Sequence, residues 1–553
     1  MSKSIVARFI DRAGQRGARV AMRTVATSSG GIDSTMSWAE WKEQSLAFAA
    51  ATLASEARSA RSVAILAGNN FVWPVADIGT LLSGKMSVGI YPTSAPAQIE
   101  KMLADCGAGI LVVDDPRHAE VIARMQPELG ELRVIVRADD HAIATKWISW
   151  RSWLEIGHVA MENDPTVRES IIRDATGIES RDPAIIIYTS GSTGNAKGAI
   201  LSHECIQASA ASIAETLGLR ESDTTLSFLP YSHAAERIFG LYTRIECGIE
   251  TALVDDHSRV WEVSAAFKPT VFGGLPRFYE KLYERILTGS GETALDTLGG
   301  NVRIATSGGA ALPVRVAEEL HRNGVSVLNA YGLTEHLCVA MNRPGDFDLD
   351  SVGSAMPGTD LMIAPDGEIL VRRSELTFSG YNNLPDETRA SFTDDGLWVR
   401  TGDLGSIDSR GRLRITGRKK ELLVLSNGKM VAPLPIEARL RAHPWICHAV
   451  LHAEGMKFVS ALIVLRREVV EGWARARGIA DEFASLVRHP AIVEEVQKAV
   501  DDVNTTLSRA ESIRRFFIID RDFSETSELT PTHKVRRATV LERFAAELES
   551  LYA

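Results

Sequence analysis

A chain of 553 residues is too long for one compact core at about 100–200 residues per domain, so a large domain with at least one smaller one is expected. Its 45% hydrophobic and 24% charged residues exclude a disordered or collagen-like polymer, and Lys+Arg 61 against Asp+Glu 71, net −10, argues against a nucleic-acid partner held by bulk charge. No apolar run approaches the roughly 20 residues that span a bilayer, so no integral membrane segment is expected.

Five cysteines (Cys106, Cys205, Cys247, Cys338, Cys447) are scattered and never form C-x-x-C. That fits neither a disulfide framework nor a zinc cage, and points to a reducing, cytoplasmic setting. The first twelve residues mix charges through their apolar positions and do not read as a secretory signal.

In chain order, Trp38 to Leu53 is predicted as an amphipathic helix, and Ser62-Val-Ala-Ile-Leu-Ala as a buried strand ending at the turn Gly68-Asn69-Asn70. A helix over Phe71 to Leu82 follows, then a strand Met86 to Tyr91 stopped by Pro92. Gly109 to Asp114 and Leu132 to Val136 continue the alternation, which resumes from Ala184 to about residue 340. Strands alternating with helices predict an α/β fold with a mostly parallel sheet. From about 350 to 415, turns at Pro365-Asp-Gly367, Asp394-Asp-Gly396 and Ser409-Arg-Gly411 predict antiparallel hairpins. After Gly417 a compact α+β tail is expected.

Chemistry concentrates in a few segments. Tyr188-Thr-Ser-Gly-Ser-Thr-Gly-Asn-Ala-Lys-Gly198 follows the apolar run Ala184 to Ile187. Gly191 and Gly194 let backbone amides approach a polyanion, Ser190, Ser192 and Thr193 add hydroxyls, and Lys197 adds a positive charge: a phosphate cradle. It is not a Walker A loop, because Ala196 stands where glycine must precede the lysine. Tyr331-Gly-Leu-Thr-Glu335 offers an aromatic face, a hydroxyl and a carboxylate able to hold Mg²⁺ near phosphates. Thr401-Gly-Asp403 places a carboxylate after a strand, suited to ribose hydroxyls, and Arg418 in Ile415-Thr-Gly-Arg418 is a permanent cation. Leu529-Thr-Pro-Thr-His-Lys534 presents one lysine after a constrained turn. Singly, each has a plain reading as a surface turn or a solvated basic face.

Together and in this order, these segments resemble the adenylate-forming enzymes (acyl-CoA synthetases, peptide-synthetase adenylation domains and luciferases) over about residues 30–540. Two more stretches, Phe228-Leu-Pro-Tyr-Ser-His-Ala-Ala-Glu-Arg237 and Gly274-Leu-Pro-Arg-Phe-Tyr-Glu-Lys-Leu-Tyr283, are similar to the long-chain acyl-CoA synthetase branch. The resemblance implies a large N-terminal domain, 1–417, of α/β subdomains plus a small β-barrel-like region, holding the ATP and acyl sites. A small mobile α+β C-terminal domain, 418–553, would carry the catalytic lysine.

By the same resemblance, Thr189, Ser190, Gly191, Ser192, Thr193, Gly194 and Lys197 hold the β- and γ-phosphates of ATP, with Mg²⁺ near Glu335 and Thr334 beside it among the catalytic residues. Tyr331, Gly332, Gly308, Gly309 and Ala310 line the adenine and acyl sites, Asp403 binds ribose, and Arg418 contacts ribose or phosphate. Lys534 bridges the substrate carboxylate and the α-phosphate. His233 is an aromatic gate to an acyl pocket roomy at Gly273-Gly274 and Gly308 to Ala311, Lys420 is the pivot of domain rotation, and Gly428 faces coenzyme A in the second step.

The implied reaction is ATP-dependent activation of a long-chain or bulky hydrophobic carboxylic acid to acyl-AMP, then transfer to CoA. The alternative acceptor is an acyl carrier protein; no extra insertion lies between Gly358 and Asp403 of the kind that blocks CoA, which favours CoA. A nucleotide-binding regulator would be expected to lack Lys534 or Glu335, and both are present. A metal hydrolase fails, because His203-Glu204 has no second histidine four residues on and His448 with His452 lack a third ligand.

Overall fold

The computed structural model of the chain describes residues 4–125, 132, 134–137, 147–190, 196–287, 292–524, 527–530 and 535–553. Among them the strands form five sheets, and the predicted α/β alternation is present. One eight-stranded sheet runs, edge to edge, through Gly380–Tyr381, Ala196–Ser202, Pro183–Ser190, Met86–Gly89, Ser62–Leu66, Ala108–Val113, Val134–Arg137 and Trp147–Ser149. It is parallel from Pro183–Ser190 onward and antiparallel at the other edge. A nine-stranded sheet has parallel Val327–Leu333, Ile304–Ser307, Val271–Gly274, Thr224–Ser227, Glu250–Leu253 and Val20–Thr24 at its heart.

Strand Ser62–Leu66 is buried at every position, the pattern of a parallel strand covered by helices on both faces. The predicted helices are found at Trp38–Ala54 and Val72–Leu82. Ser37 starts the first with a capping box: its hydroxyl accepts from the Glu40 amide at 3.2 Å, and the Glu40 carboxylate accepts from the Ser37 amide at 2.7 Å. Helix Trp150–Asn163 crosses Trp38–Ala54 at Gly157, where a β-carbon would lie 1.8 Å from the Ala47 carbonyl oxygen, so the crossing demands glycine.

The hairpins expected between 350 and 415 form a four-stranded antiparallel sheet of Leu361–Ile363, Glu368–Arg372, Trp398–Ile407 and Leu413–Arg418. Thr401-Gly-Asp403 lies inside the strand Trp398–Ile407 rather than after one. The Thr401 hydroxyl, donating to the Ile369 carbonyl at 2.7 Å, and the Gly402 amide, donating to Glu368 at 3.0 Å, hold it there.

The C-terminal region builds its own core. Strands Ile446–His452, Val459–Leu465 and Ile513–Ile519 form one sheet. Alternation sends Ala461, Ile463 and Leu465 to one side, against helix Pro490–Asn504, and Leu462 and Val464 to the other, against Leu529 and Val540. All five cysteines are unpaired, and among the described residues no helix is long and apolar enough to cross a membrane.

Candidate active site

Most of the expected site residues lie at or just beyond the carboxyl ends of parallel strands: Thr189 and Ser190 end Pro183–Ser190, Tyr331 and Gly332 lie in the last part of Val327–Leu333 with Thr334 and Glu335 after it, Gly308 to Ala310 follow Ile304–Ser307, and His233 lies in the loop after Thr224–Ser227. Open α/β sheets bind ligands at the carboxyl ends of their strands, where the backbone leaves the sheet and can turn toward a ligand. Buried polar contacts fix the two sheets to each other here. Asn69, after Ser62–Leu66, donates to the Ser227 hydroxyl at 3.0 Å and the Leu229 carbonyl at 2.8 Å, and the rings of Trp73 and Tyr231 stack with centroids 5.7 Å apart.

Behind them lies a fully buried ion pair. Arg237 and Asp77 are both 0% exposed. Arg237 also donates to the Ser87 hydroxyl at 2.7 Å, and Tyr242 donates to the second Asp77 oxygen at 2.7 Å. Arg237 and Tyr242 lie on a π-helix, Ala235–Tyr242, which starts two residues after His233. The His233 Nδ1 accepts from the Ala235 amide at 3.1 Å, and the ring stands edge-on to Tyr91, centroids 6.4 Å apart. Tyr91 follows Met86–Gly89 and was not singled out by the sequence.

Two clusters form across the strand ends. In the first, the Tyr331 hydroxyl donates to Asp403 Oδ2 at 2.6 Å, and Arg418 Nε donates to Asp403 Oδ1 at 2.8 Å. Burial and then the Asp403 carboxylate push the Tyr331 phenol well up, so it stays protonated and donates. Arg418 is exposed and pairs with a carboxylate only 5% exposed. Three residues expected around the nucleoside thus meet, although 72 residues separate Tyr331 from Asp403. Gly332 sits at a bulge, and a β-carbon there would lie 2.2 Å from the Leu337 carbonyl oxygen, so this close return of the chain excludes any side chain.

In the second cluster the Tyr381 hydroxyl donates to Glu335 Oε1, and Lys197 Nζ lies over the Tyr381 ring, 5.3 Å from its centroid. Burial, followed by the Glu335 carboxylate, raises the Tyr381 phenol. Lys197 lies on Ala196–Ser202, which pairs antiparallel with Pro183–Ser190, so the two arms of the expected cradle form a hairpin. Thr189, half-buried, donates to the Lys197 carbonyl at 3.5 Å, and Thr334, also half-buried, directly precedes Glu335. Gly191, Ser192, Thr193 and Gly194 lie outside the described residues, and for Ser190 the backbone alone is described. Next to Glu335, His336 is fully buried between the hydroxyls of Thr377 and Thr359, each at 3.2 Å. Burial holds its imidazole down to about 4, so it remains a neutral support.

Tyr381 is the residue that sequence reasoning missed. Its segment joins the edge of the eight-stranded sheet by pairing with Ala199, and Asn382 is tied to Asp105 at 3.0 Å. Its only sequence signal is Gly380-Tyr-Asn-Asn383 ahead of Pro385.

Gly309 and Ala310 are exposed at the strand end, open to a ligand. Lys420 is exposed in a 3₁₀ turn, Lys419–Glu421, and Gly428 sits at the exposed tip of the hairpin Leu423–Val424/Met430–Val431 with open space where a β-carbon would be. Neither joins the two clusters in this arrangement. Lys534 lies outside the described residues, but its surroundings do not. Leu529 pairs with Val535, and Glu528, 0% exposed, pairs with Arg521 and Arg543, each at 2.6 Å. Burial alone would raise the Glu528 carboxyl; the two arginines hold it down, to about 2.

Comparison with known proteins gives the family. Residues 9–382 match the AMP-binding enzyme family, and residues 420–553 match the AMP-binding enzyme C-terminal domain. The chain is 33% identical to the long-chain-fatty-acid–CoA ligase FadD15 of Mycobacterium bovis, over 94% of this chain and 93% of that protein. It is 27% identical to the human long-chain-fatty-acid–CoA ligase ACSBG1, over 90% and 78% of the two chains. Among solved structures, the anthranilate CoA ligase AuaEII in complex with anthranoyl-AMP superposes with TM-score 0.78 at 21% identity, covering 100% of this chain and 98% of that one. ATP-bound MatB from Rhodopseudomonas palustris gives 0.74 at 22% identity, covering 98% and 99%. The chain therefore belongs to the AMP-binding enzyme family, the adenylate-forming superfamily, near its fatty acyl-CoA synthetase branch, and is an AMP-forming acid–thiol ligase.

Proposed function

We propose that this ligase activates a long-chain or bulky hydrophobic carboxylic acid with ATP, releases pyrophosphate, and transfers the acyl group from acyl-AMP to coenzyme A. The observation that carries the reading is the Tyr331–Asp403–Arg418 cluster beside Glu335 and Lys197 at the strand ends. The substrate class is supported by the FadD15 relative and by Gly and Ala at the expected pocket wall.

A carboxylate resists thiol attack because its oxide is a poor leaving group. One carboxylate oxygen attacks the α-phosphorus of ATP, the bond from that phosphorus to the pyrophosphate oxygen breaks, and an acyl-phosphate anhydride results. The CoA thiol, losing its proton, then adds to the carbonyl carbon, and AMP leaves with the oxygen it gained. Positioning and charge neutralisation dominate such a step. Thr189 to Gly194 and Lys197 are assigned to the β- and γ-phosphates, Asp403 to the ribose hydroxyls with Arg418 beside them, and Tyr331, Gly332, Gly309 and Ala310 to the adenine. Thr334 and Glu335 are assigned to the phosphates, and Lys534 to the substrate carboxylate and α-phosphate.

Glu335, its carboxylate held by Tyr381, fits Mg²⁺ as one ligand on a cation that brings its other ligands with the nucleotide. Bound there, Mg²⁺ would neutralise charge on the departing pyrophosphate. Tyr381 holds Glu335 in place, and a hydrogen bond to a charged group contributes about 1.5–3 kcal/mol. Tyr381→Phe is therefore expected to raise the Mg²⁺ concentration needed for half-maximal ATP binding, by calorimetry, roughly tenfold or more. Glu335→Ala should do the same, and an unchanged Mg²⁺ dependence in both would remove the pair from the metal site.

His233 and Gly308 are assigned to the acyl side, Lys420 to the pivot between domains 1–417 and 418–553, and Gly428 to the approach of CoA. Five unpaired cysteines support a cytoplasmic setting. The test is mass spectrometry of products from ATP, Mg²⁺ and a panel of hydrophobic acids, with and without CoA. Acyl-CoA formed only with CoA, from the longer acids, is the expected result; acyl-AMP that persists in the presence of CoA would move the acceptor to a carrier protein.

A further inference from the structure

The stretch Gly274 to Tyr283 marks the branch, yet nothing above gives its charged residues a role. In the structure they face the C-terminal region. Helix Pro276–Leu287 carries Arg277, Glu280 and Glu284 along one side. Arg277 pairs with Glu280 at 3.4 Å and with Glu284 at 3.1 Å. Across the border, Arg441, ending helix Pro433–Arg441, reaches Glu280 at 3.3 Å, and Arg466, capping helix Arg467–Arg475, pairs with Glu284. Arg466 also donates to the Arg441 carbonyl at 3.3 Å, which joins the two outer arginines. Glu280 is 3% exposed and Arg466 5%, so salt screens this network less than an ordinary surface pair.

One observation says which orientation the network holds. Hairpin residues 426–430 are exposed, so the loop assigned to CoA approach points to solvent. An orientation that leaves this loop in solvent is not the one in which it would meet CoA at the strand ends, which leaves the orientation for acyl-AMP formation.

We propose that Glu280 and Glu284 are positioning residues that clamp Arg441 and Arg466 and so hold the C-terminal region in the orientation for acyl-AMP formation, to be released before thioester formation. The clamp rests on the two-step reading above. It touches no reacting atom and acts through the placement of Lys534.

The experiment compares Glu284→Gln and the swap Glu284→Arg/Arg466→Glu with the wild type. The expected result for Glu284→Gln is acyl-AMP formation slowed about tenfold, with thioester formation from supplied acyl-AMP as fast as wild type or faster. The swap is expected to restore the first rate. Trypsin cleavage in the exposed segment Arg418-Lys419-Lys420 supplies a readout independent of activity, expected to be several-fold faster in Glu284→Gln and restored by the swap. Half-reactions that fall together, or a swap that restores neither rate nor protection, would overturn the clamp. A wild type that forms no acyl-AMP would overturn the proposed function, while the cleavage comparison would still decide whether the clamp holds the two regions together.

Discussion

Lys534→Ala is expected to cut acyl-AMP formation by roughly 10²–10³-fold while leaving thioester formation from supplied acyl-AMP near the wild-type rate. The argument is electrostatic. Charge builds on the α-phosphate as the carboxylate attacks, and one preorganised donor in a water-poor site is worth about 3–4 kcal/mol of barrier, close to tenfold in rate for each 1.36 kcal/mol. The flanking residues are anchored: Leu529 pairs with Val535, and buried Glu528 is clamped by Arg521 and Arg543. Single-turnover measurement of each half-reaction separates the roles, and equal loss in both would contradict the assignment. Lys534→Arg should restore little, because a broad planar guanidinium does not replace a compact ammonium.

Arg237→Ala is expected to destabilise the N-terminal region by about 3–5 kcal/mol, because it leaves the Asp77 carboxylate charged, buried and without its cation. Asp77 lies on helix Val72–Leu82, Ser87 on the eight-stranded sheet, and Arg237 with Tyr242 on the π-helix, so the pair connects three elements behind His233. Asp77→Leu/Arg237→Met removes both charges and is expected to recover most of the loss. Equilibrium urea unfolding checks this, and a midpoint unmoved by Arg237→Ala would contradict it. Since the π-helix begins beside His233, the double variant is also expected to alter preference among acids, read in the same product panel.

The strands Ser62–Leu66 and Met86–Gly89 were legible because each is a short apolar run closed by a local stop, Gly68-Asn69-Asn70 for one and Pro92 for the other, and Asp-Gly turns mark the antiparallel sheet. Such stops are written in neighbouring residues, so no alignment of distant segments is needed. The nucleoside residues were legible as types in order, but their union was not, since Tyr331 and Asp403 lie 72 residues apart on strands of two different sheets. The π-helix escaped because its residues read as an ordinary helix, the extra residue per turn having no signature. The Asp77–Arg237 pair spans 160 residues, and its one clue was a lone acid in an otherwise apolar helix. Tyr381 escaped for the same reason, standing 46 residues from Glu335 in a two-residue edge strand of common composition. The clamp on helix Pro276–Leu287 depends on how two separately folded cores meet, which periodicity within either does not encode.

The most direct measurement supplies the acid with both carboxylate oxygens labelled as ¹⁸O, together with ATP, Mg²⁺ and CoA, and follows the label by mass spectrometry. If a carboxylate oxygen attacks the α-phosphorus and leaves with AMP on thiolysis, one ¹⁸O appears in AMP and none in pyrophosphate. Label in orthophosphate alongside ADP, or acyl-CoA formed with unlabelled AMP, would contradict the acyl-AMP route.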